Sequence, residues 1–258
     1  MDLQLSGKRA LVTGSSSGLG EAIAKQLAAE GAVVVVHGRD AARTAAVAKS
    51  IRADGGDATI AMGDLGTDAG AEEVATAAGP VDVLVNNAGF YNPVAWAALA
   101  PDDWAEIYNI NVISSVRMIR HLVPGMRERG WGRVIQISSV TGHLPSSRQP
   151  HYQATNAARN NLAASLSRDL KHSGVTSNAI AAGGILVPSV KDYLLNMGRE
   201  NGWGNTWDEI ESYAVNTLAP NDVGRIGLPH EYADLVAFLA SPRAGYITGA
   251  TLRIDGGA

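Results

Sequence analysis

The run Thr13-Gly14-Ser15-Ser16-Ser17-Gly18-Leu19-Gly20 has a composition suited to holding a phosphate. Its glycines let the main chain come close to a pyrophosphate. The helix that follows would point unpaired N–H groups and the positive end of its dipole at the same place. A glycine-rich turn alone is an ordinary loop; its position between an apolar run and a helix gives it meaning. A second informative stretch, His37-Gly38-Arg39-Asp40, closes the next apolar run. A dinucleotide site selective for NAD places a carboxylate there, against the adenosine ribose. Here Gly38 takes that position and Arg39 follows. A guanidinium beside the ribose pairs with a 2′-phosphate, so NADP(H) is favoured over NAD(H). Asp40 leaves the other reading open, unless its carboxylate caps the next helix instead.

These residues need elements to position them, and the chain alternates accordingly. Arg9 to Thr13, Val33 to His37, Thr59 to Met62 and Val81 to Val85 read as buried strands. Between them, Glu21 to Glu30, Ala41 to Ala53 and Ala69 to Ala78 read as helices, with Gly31 and Gly55-Gly56 as C-terminal stops. A long helix from about Pro101 to Arg129 follows. After it come a strand Arg133 to Ser138, a helix Tyr152 to His172 and a strand Thr176 to Ala181. Strands that are apolar throughout and separated by helices imply a parallel sheet covered on both faces. The segment Val187 to Pro229, with Trp203, Trp207 and several glycines, breaks this rhythm after a strand's carboxyl end. It reads as a lid over a ligand, with a subunit-contact flap as the other possibility. Thr251 to Gly257 reads as a last strand and turn. No linker or repeat divides residues 1–258, so the expectation is one domain.

The spacing Gly-x-x-x-Gly-x-Gly at Gly14, Gly18 and Gly20, with Asn86-Asn87-Ala88-Gly89 after the fourth strand, resembles the short-chain dehydrogenase/reductase family in its compact form. The resemblance covers essentially the whole chain. It implies a doubly wound Rossmann-type fold: an α/β architecture with a seven-stranded parallel sheet and helices on both faces. It implies that Asn87, Ala88 and Gly89 lie on the adenosine side of the cofactor, and that Asp64 and Leu65 contact the adenine. It also implies a homotetramer or homodimer acting on a small-molecule carbonyl or alcohol.

The same resemblance assigns catalytic positions. Ser139, just past a strand, would hydrogen-bond the substrate oxygen, and Tyr152, at the start of a helix, would pass a proton to it. Asn111 would hold a water in the proton relay, with Asn109 as a nearby competitor. Family members carry a lysine four residues after the tyrosine, on the same helix face. That lysine bonds the nicotinamide ribose and lowers the tyrosine pKa. This chain has Asn156. An amide can donate and accept, so the ribose contact is retained, but it brings no charge. An ordinary tyrosine titrates near ~10, which leaves about one in a thousand ionised at pH 7. Arg159, Arg148, His143 and His151 are the nearby candidates for a substitute cation, each with a solvated surface position as its bland alternative. Around the nicotinamide, the run Ala182-Gly183-Gly184-Ile185-Leu186-Val187 replaces the family's proline with Ala182 and its threonine with Val187. Val187 would keep a backbone N–H for the carboxamide. The adenosine half is thus intact and the reactive half altered. A carbonyl reductase or alcohol dehydrogenase of unusual pH dependence is the favoured function, and a non-catalytic dinucleotide-binding protein the alternative.

Bulk properties narrow the field. A net charge of −4 and a pI near 5.9 argue against nucleic acid or anionic membrane as partners. With no cysteines, the chain has no disulfides or thiolate metal sites, and the six histidines show no ligand spacing, so no metal is expected. The amino-terminal residues lack a signal-peptide pattern. A cytoplasmic location is the expectation.

Overall fold

A computed structural model describes residues 1–258. Strands β1 (Arg9–Val12), β2 (Val33–Gly38), β3 (Asp57–Met62) and β4 (Val83–Asn86) alternate with helices α1 (Gly18–Ala29), α2 (Ala41–Ala53) and α3 (Asp68–Ala78). Helices α4 (Pro101–Tyr108) and α5 (Ser114–Glu128) lead to β5 (Gly132–Ser139). Then come α6 (Pro150–Asp169), β6 (Val175–Ala182), α7 (Pro188–Glu200), α8 (Trp207–Thr217), α9 (Pro229–Ala240) and β7 (Thr251–Ile254). All pairings are parallel, in a seven-stranded sheet of order β3-β2-β1-β4-β5-β6-β7. This is the expected doubly wound Rossmann-type α/β fold, and its order reverses between β1 and β4, where such sheets open a ligand crevice at their carboxyl ends.

Alternate residues of the strands feed opposite cores. Val34, Val36, Val83, Val85 and Ile135 pack under α1, α2 and α9, while Leu11, Val35, Leu84 and Val134 pack under α3 and α5. Strands buried on both sides carry few polar residues inside, which is why they read as continuous apolar runs. Gly31 and Gly55 follow α1 and α2 with φ of 87° and 87°, the left-handed stop expected of them.

Several boundaries differ from the sequence expectation. The helix read as continuous from Pro101 to Arg129 is interrupted by a π-helical segment, Asn109–Ile113. The 187–229 segment is mostly helical: α7 and α8 pack on each other through Leu194, Ile210, Ala214 and Val215, with Ile226 beside them. α8 opens with a capping box in which Thr206 Oγ1 accepts from Glu209 N and Glu209 accepts from Thr206 N. The helix carrying Tyr152 begins two residues earlier, with Pro150 in its first turn. Ser139 is the last residue of β5 rather than the first beyond it. No helix is long and apolar enough to cross a membrane.

Candidate active site

The glycine-rich loop joins β1 to α1 at the crevice, and its shape is fixed from three sides. Ser15 N donates to His37 O at 2.8 Å, and Ser15 Oγ accepts from His37 N at 2.9 Å while donating to Val12 O. Gly14 N donates to His37 Nδ1 at 2.9 Å. An N–H can only donate, so Nδ1 is the bare nitrogen, and Nε2 carries the proton and donates to Gly63 O at 3.1 Å. Burial holds the His37 pKa below its usual 6.5, against the opposing effect of the Gly63 bond. Thr13 Oγ1 accepts from Asn87 N and Ala88 N, and Asn87 Nδ2 donates to Thr13 O and Gly14 O. A Cβ on Gly20 would lie 2.6 Å from Asn87 Nδ2 and 2.9 Å from Ser15 Cα, so α1 meets the loop closely only with glycine there. Ser17 is the N-cap of α1 and makes no side-chain cap bond, which leaves the first-turn N–H groups free for an anion. Gly18 and Leu19 open that turn.

The end of β2 favours a 2′-phosphate on steric grounds. A Cβ on Gly38 would lie 2.8 Å from Ser16 Cβ and press into Thr44 Oγ1, so a carboxylate residue there would have to displace both side chains. Asp40 caps α2, accepting from Arg43 N at 3.0 Å and pairing with Arg43 Nε at 3.0 Å. That leaves Arg39 exposed and outside every ion pair of the chain. Asp64 is exposed on the adjacent edge and accepts from Gly66 N, with Leu65 buried behind it. These residues suit an adenosine carrying an extra phosphate.

The carboxyl ends of β5 and β6 bring the remaining candidates to the same edge. Ser139 Oγ accepts from Thr141 N and Thr141 Oγ1, so its own proton stays available for a ligand. Neighbouring Ser138 is structural, donating to Asn160 Oδ1 and Ile180 O. Tyr152 is partly exposed on α6, and Tyr91 packs edge-on to it with ring centroids 5.2 Å apart. Asn111 sits in the π segment, where its Oδ1 accepts from Phe90 N and its Nδ2 donates to Phe90 O and Thr155 Oγ1. Asn109 faces away, bonded to Gly66 O and Arg117 Nη1. Of the two asparagines, Asn111 is therefore the one at the site. Asn156 is 3% exposed, and its Nδ2 donates to Tyr152 O at 2.9 Å, folded back onto its own helix.

Arg159 is not a surface charge. It is buried, and its guanidinium donates to Asn111 O at 2.5 Å, Ile137 O at 2.5 Å and Ala88 O. Burial pulls its pKa down to about 10, against a smaller upward pull from Tyr152, so Arg159 stays charged near neutrality. His151 turns toward Trp104, with ring centroids 6.1 Å apart, and His143 Nε2 meets Asn160 Nδ2 at 3.0 Å. Beyond β6, Gly183 N donates to Ile254 O, and Gly184 O accepts from Gly227 N and from Tyr232 Oη. Ile185 bridges to Gly227. Val187 faces Gly18, but its N–H donates to Ile185 O at 2.9 Å and is not turned outward as expected. His37 and Tyr91 are the residues that sequence reasoning passed over. A histidine amid β-branched residues, four residues of which precede it in β2, was the available signal for the first.

The model of the family described as short chain dehydrogenase matches residues 8–197. The chain belongs to the short-chain dehydrogenase family. It is 36% identical over 260 residues to an uncharacterized oxidoreductase, YvaG, of Bacillus subtilis, covering 100% of this chain and 98% of that protein. It is 33% identical over 256 residues to the 3-oxoacyl-[acyl-carrier-protein] reductase FabG of Vibrio harveyi, covering 99% and 98%. Among solved structures, it superposes with a TM-score of 0.93 on L-sorbose reductase from Gluconobacter frateurii complexed with NADPH and L-sorbose, at 33% identity and covering 100% and 98%. In this short-chain dehydrogenase Ser139 ends β5, Tyr152 lies in the first turn of α6 and Asn111 is tied to α6 through Thr155, while position 156 is an amide and a buried cation lies at Arg159.

Proposed function

We propose that this short-chain dehydrogenase is an NADP(H)-dependent oxidoreductase that interconverts a carbonyl and an alcohol on a small or medium organic substrate. The observation that carries the reading is a convergence. The phosphate loop after β1, unpaired Arg39 after β2 and Ser139 at the end of β5 all open on the carboxyl edge of one parallel sheet, across its switch point, and Tyr152 lies in the first turn of the helix that follows β5. The NADPH- and NADP-bound neighbours support the choice of cofactor. Arg39 would meet the 2′-phosphate, and the free N–H groups of α1 the pyrophosphate. Asp64 and Leu65 would flank the adenine, Asn87, Ala88 and Gly89 the adenosine ribose side, and Gly183, Gly184, Ile185 and Val187 the nicotinamide side. When bound, the reduced dinucleotide supplies the hydride. Ser139 donates to the carbonyl oxygen and fixes its position, and Tyr152 releases its proton to that oxygen as negative charge develops there. Asn111 sets the wall facing them by tying the Phe90 segment to α6. Helices α7 and α8 form the lid over the substrate. The protein is read as a cytoplasmic homotetramer or homodimer.

The test is NADPH oxidation across a panel of ketones and aldehydes from pH 6 to 10, with Tyr152→Phe alongside. Turnover in the native protein that falls at least about 100-fold in the variant supports the assignment. Equal rates in the two proteins would remove Tyr152 from the chemistry. The amide at Asn156, with Ala182 and Val187, favours a second reading as a non-catalytic dinucleotide-binding protein. Tight NADPH binding without turnover on any carbonyl would establish it.

A further inference from the structure

We propose that Arg159 is the charge partner of Tyr152, standing further along the same helix face than the position where Asn156 replaces a lysine, and that it stabilises the phenolate left once the proton has gone to the substrate. The proposal deepens the carbonyl-reduction reading and rests on it. Tyr152, Asn156 and Arg159 follow one another at positions i, i+4 and i+7 of α6, so they line one face. Asn156 contributes no charge there, and its amide donor is engaged by Tyr152 O.

Arg159 is 5% exposed and has no carboxylate partner, whereas Arg43, Arg117, Arg127, Arg129, Arg225 and Arg253 each pair with one. Arg133, 3% exposed, is likewise held by carbonyls alone, those of Ser241, Gly132 and Gly174, but at the opposite end of β5 from Ser139. Burying a guanidinium among carbonyls alone is costly, and what sets Arg159 apart is where the charge is held. The carbonyls that cradle it belong to the site: Ala88 beside the phosphate loop, Asn111 in the π segment, and Ile137 two residues before Ser139. The positive charge is therefore held inside the candidate centre, fixed to three of its walls. Because Arg159 acts through Tyr152, it is a positioning residue and not a group that touches substrate. Of the other cations nearby, His143 contacts Asn160, His151 packs on Trp104, and Arg148 lies exposed on the loop before α6, where its charge acts on Tyr91. Tyr91, after β4, packs edge-on to Tyr152, and Tyr193, on α7, acts on Tyr91 in turn.

The decisive experiment follows phenolate absorbance during pH titration of the purified protein. Native chain, Arg159→Leu, Arg159→Gln and the double variant Asn156→Lys/Arg159→Leu are each read against the same chain carrying Tyr152→Phe, which isolates the one phenol. Removing the charge should move the Tyr152 midpoint upward by about one pH unit in both single variants. The lysine at 156 should bring it back, and kcat for carbonyl reduction should follow with KM for NADPH unchanged. Arg159→Gln keeps hydrogen-bonding capacity without charge and serves if the leucine variant does not fold. An unmoved midpoint in the single variants overturns the proposal, whatever the rates do. A moved midpoint in a protein that reduces no carbonyl leaves the charge pairing standing and overturns the reaction instead.

Discussion

Replacing Arg39 with alanine tests cofactor selection most directly. Arg39 has no partner within the chain, so its removal leaves no donor or acceptor stranded, and folding stability should change by no more than about 0.5 kcal/mol. The neighbouring Asp40–Arg43 pair and the α2 cap remain in place. In the complex, the guanidinium would make a charge-assisted contact to a phosphate, a class of bond that contributes about 1.5–3 kcal/mol. The side chain is exposed, so the lower part of that range applies, about 1.5–2 kcal/mol, or roughly 10- to 30-fold in Kd. NADH lacks the phosphate and should bind the variant as it binds the native chain. Calorimetry with NADPH and NADH on both proteins measures this, and the NADPH difference should shrink as salt screens the exposed charge. Equal weakening of both dinucleotides, or none for either, would refute the reasoning that Gly38 and Arg39 together read the 2′-phosphate.

Other consequences follow from the packing around the site. Protonating His37 would remove the acceptor of Gly14 N–H, and its folded pKa lies below the usual 6.5 because of burial. The unfolded chain therefore takes up this proton first, so the contribution to stability is complete above pH 6.5 and is lost as pH falls from there toward the folded pKa. Thermal unfolding from pH 5 to 8 should show that acid-side loss in the native chain and a flatter profile in His37→Gln. A Cβ on Gly198 would lie 2.7 Å from Ile210 Cγ1, so Gly198→Val should push α7 from α8 at a cost of about 1–3 kcal/mol. If these helices are the lid, KM for the carbonyl rises while NADPH affinity, measured separately by calorimetry, stays the same; an unchanged KM would detach them from substrate binding.

The strands and the first three helices were legible in the sequence because each is a continuous apolar run or an alanine-rich stretch bounded by glycine; Ala41–Ala53 is read to the residue. The cofactor half was legible for a related reason: a glycine loop works through local geometry, and local geometry leaves local composition. What was not legible depends on convergence. Nothing near Arg159 in sequence announces the carbonyls of Ala88, Asn111 and Ile137, which lie 71, 48 and 22 residues away. The bond from Gly14 to His37 is likewise visible only once β1 and β2 lie side by side. Helix α8 did carry a readable signal in Thr206 and Glu209, obscured by the glycines and tryptophans before it. Helix α9 was passed over although Pro229 and Glu231 mark its first turn. The π segment at Asn109–Ile113 has no compositional mark at all.

That segment is where the helix can change length without losing its faces. A π turn holds one more residue than an α turn and fits it into the same revolution. Deleting one residue between 109 and 113 would let the wide turn close into a plain α turn, with both sides kept in register. Ile107 would stay buried, and so would Met118, Leu122 and Met126. What goes with the lost residue is the placement of Asn111, whose bonds to Phe90 N, Phe90 O and Thr155 Oγ1 are made from within the widened turn. Members of a library or a lineage built on this chain can thus shed a residue there and keep the helix, but lose the wall that Asn111 ties to α6.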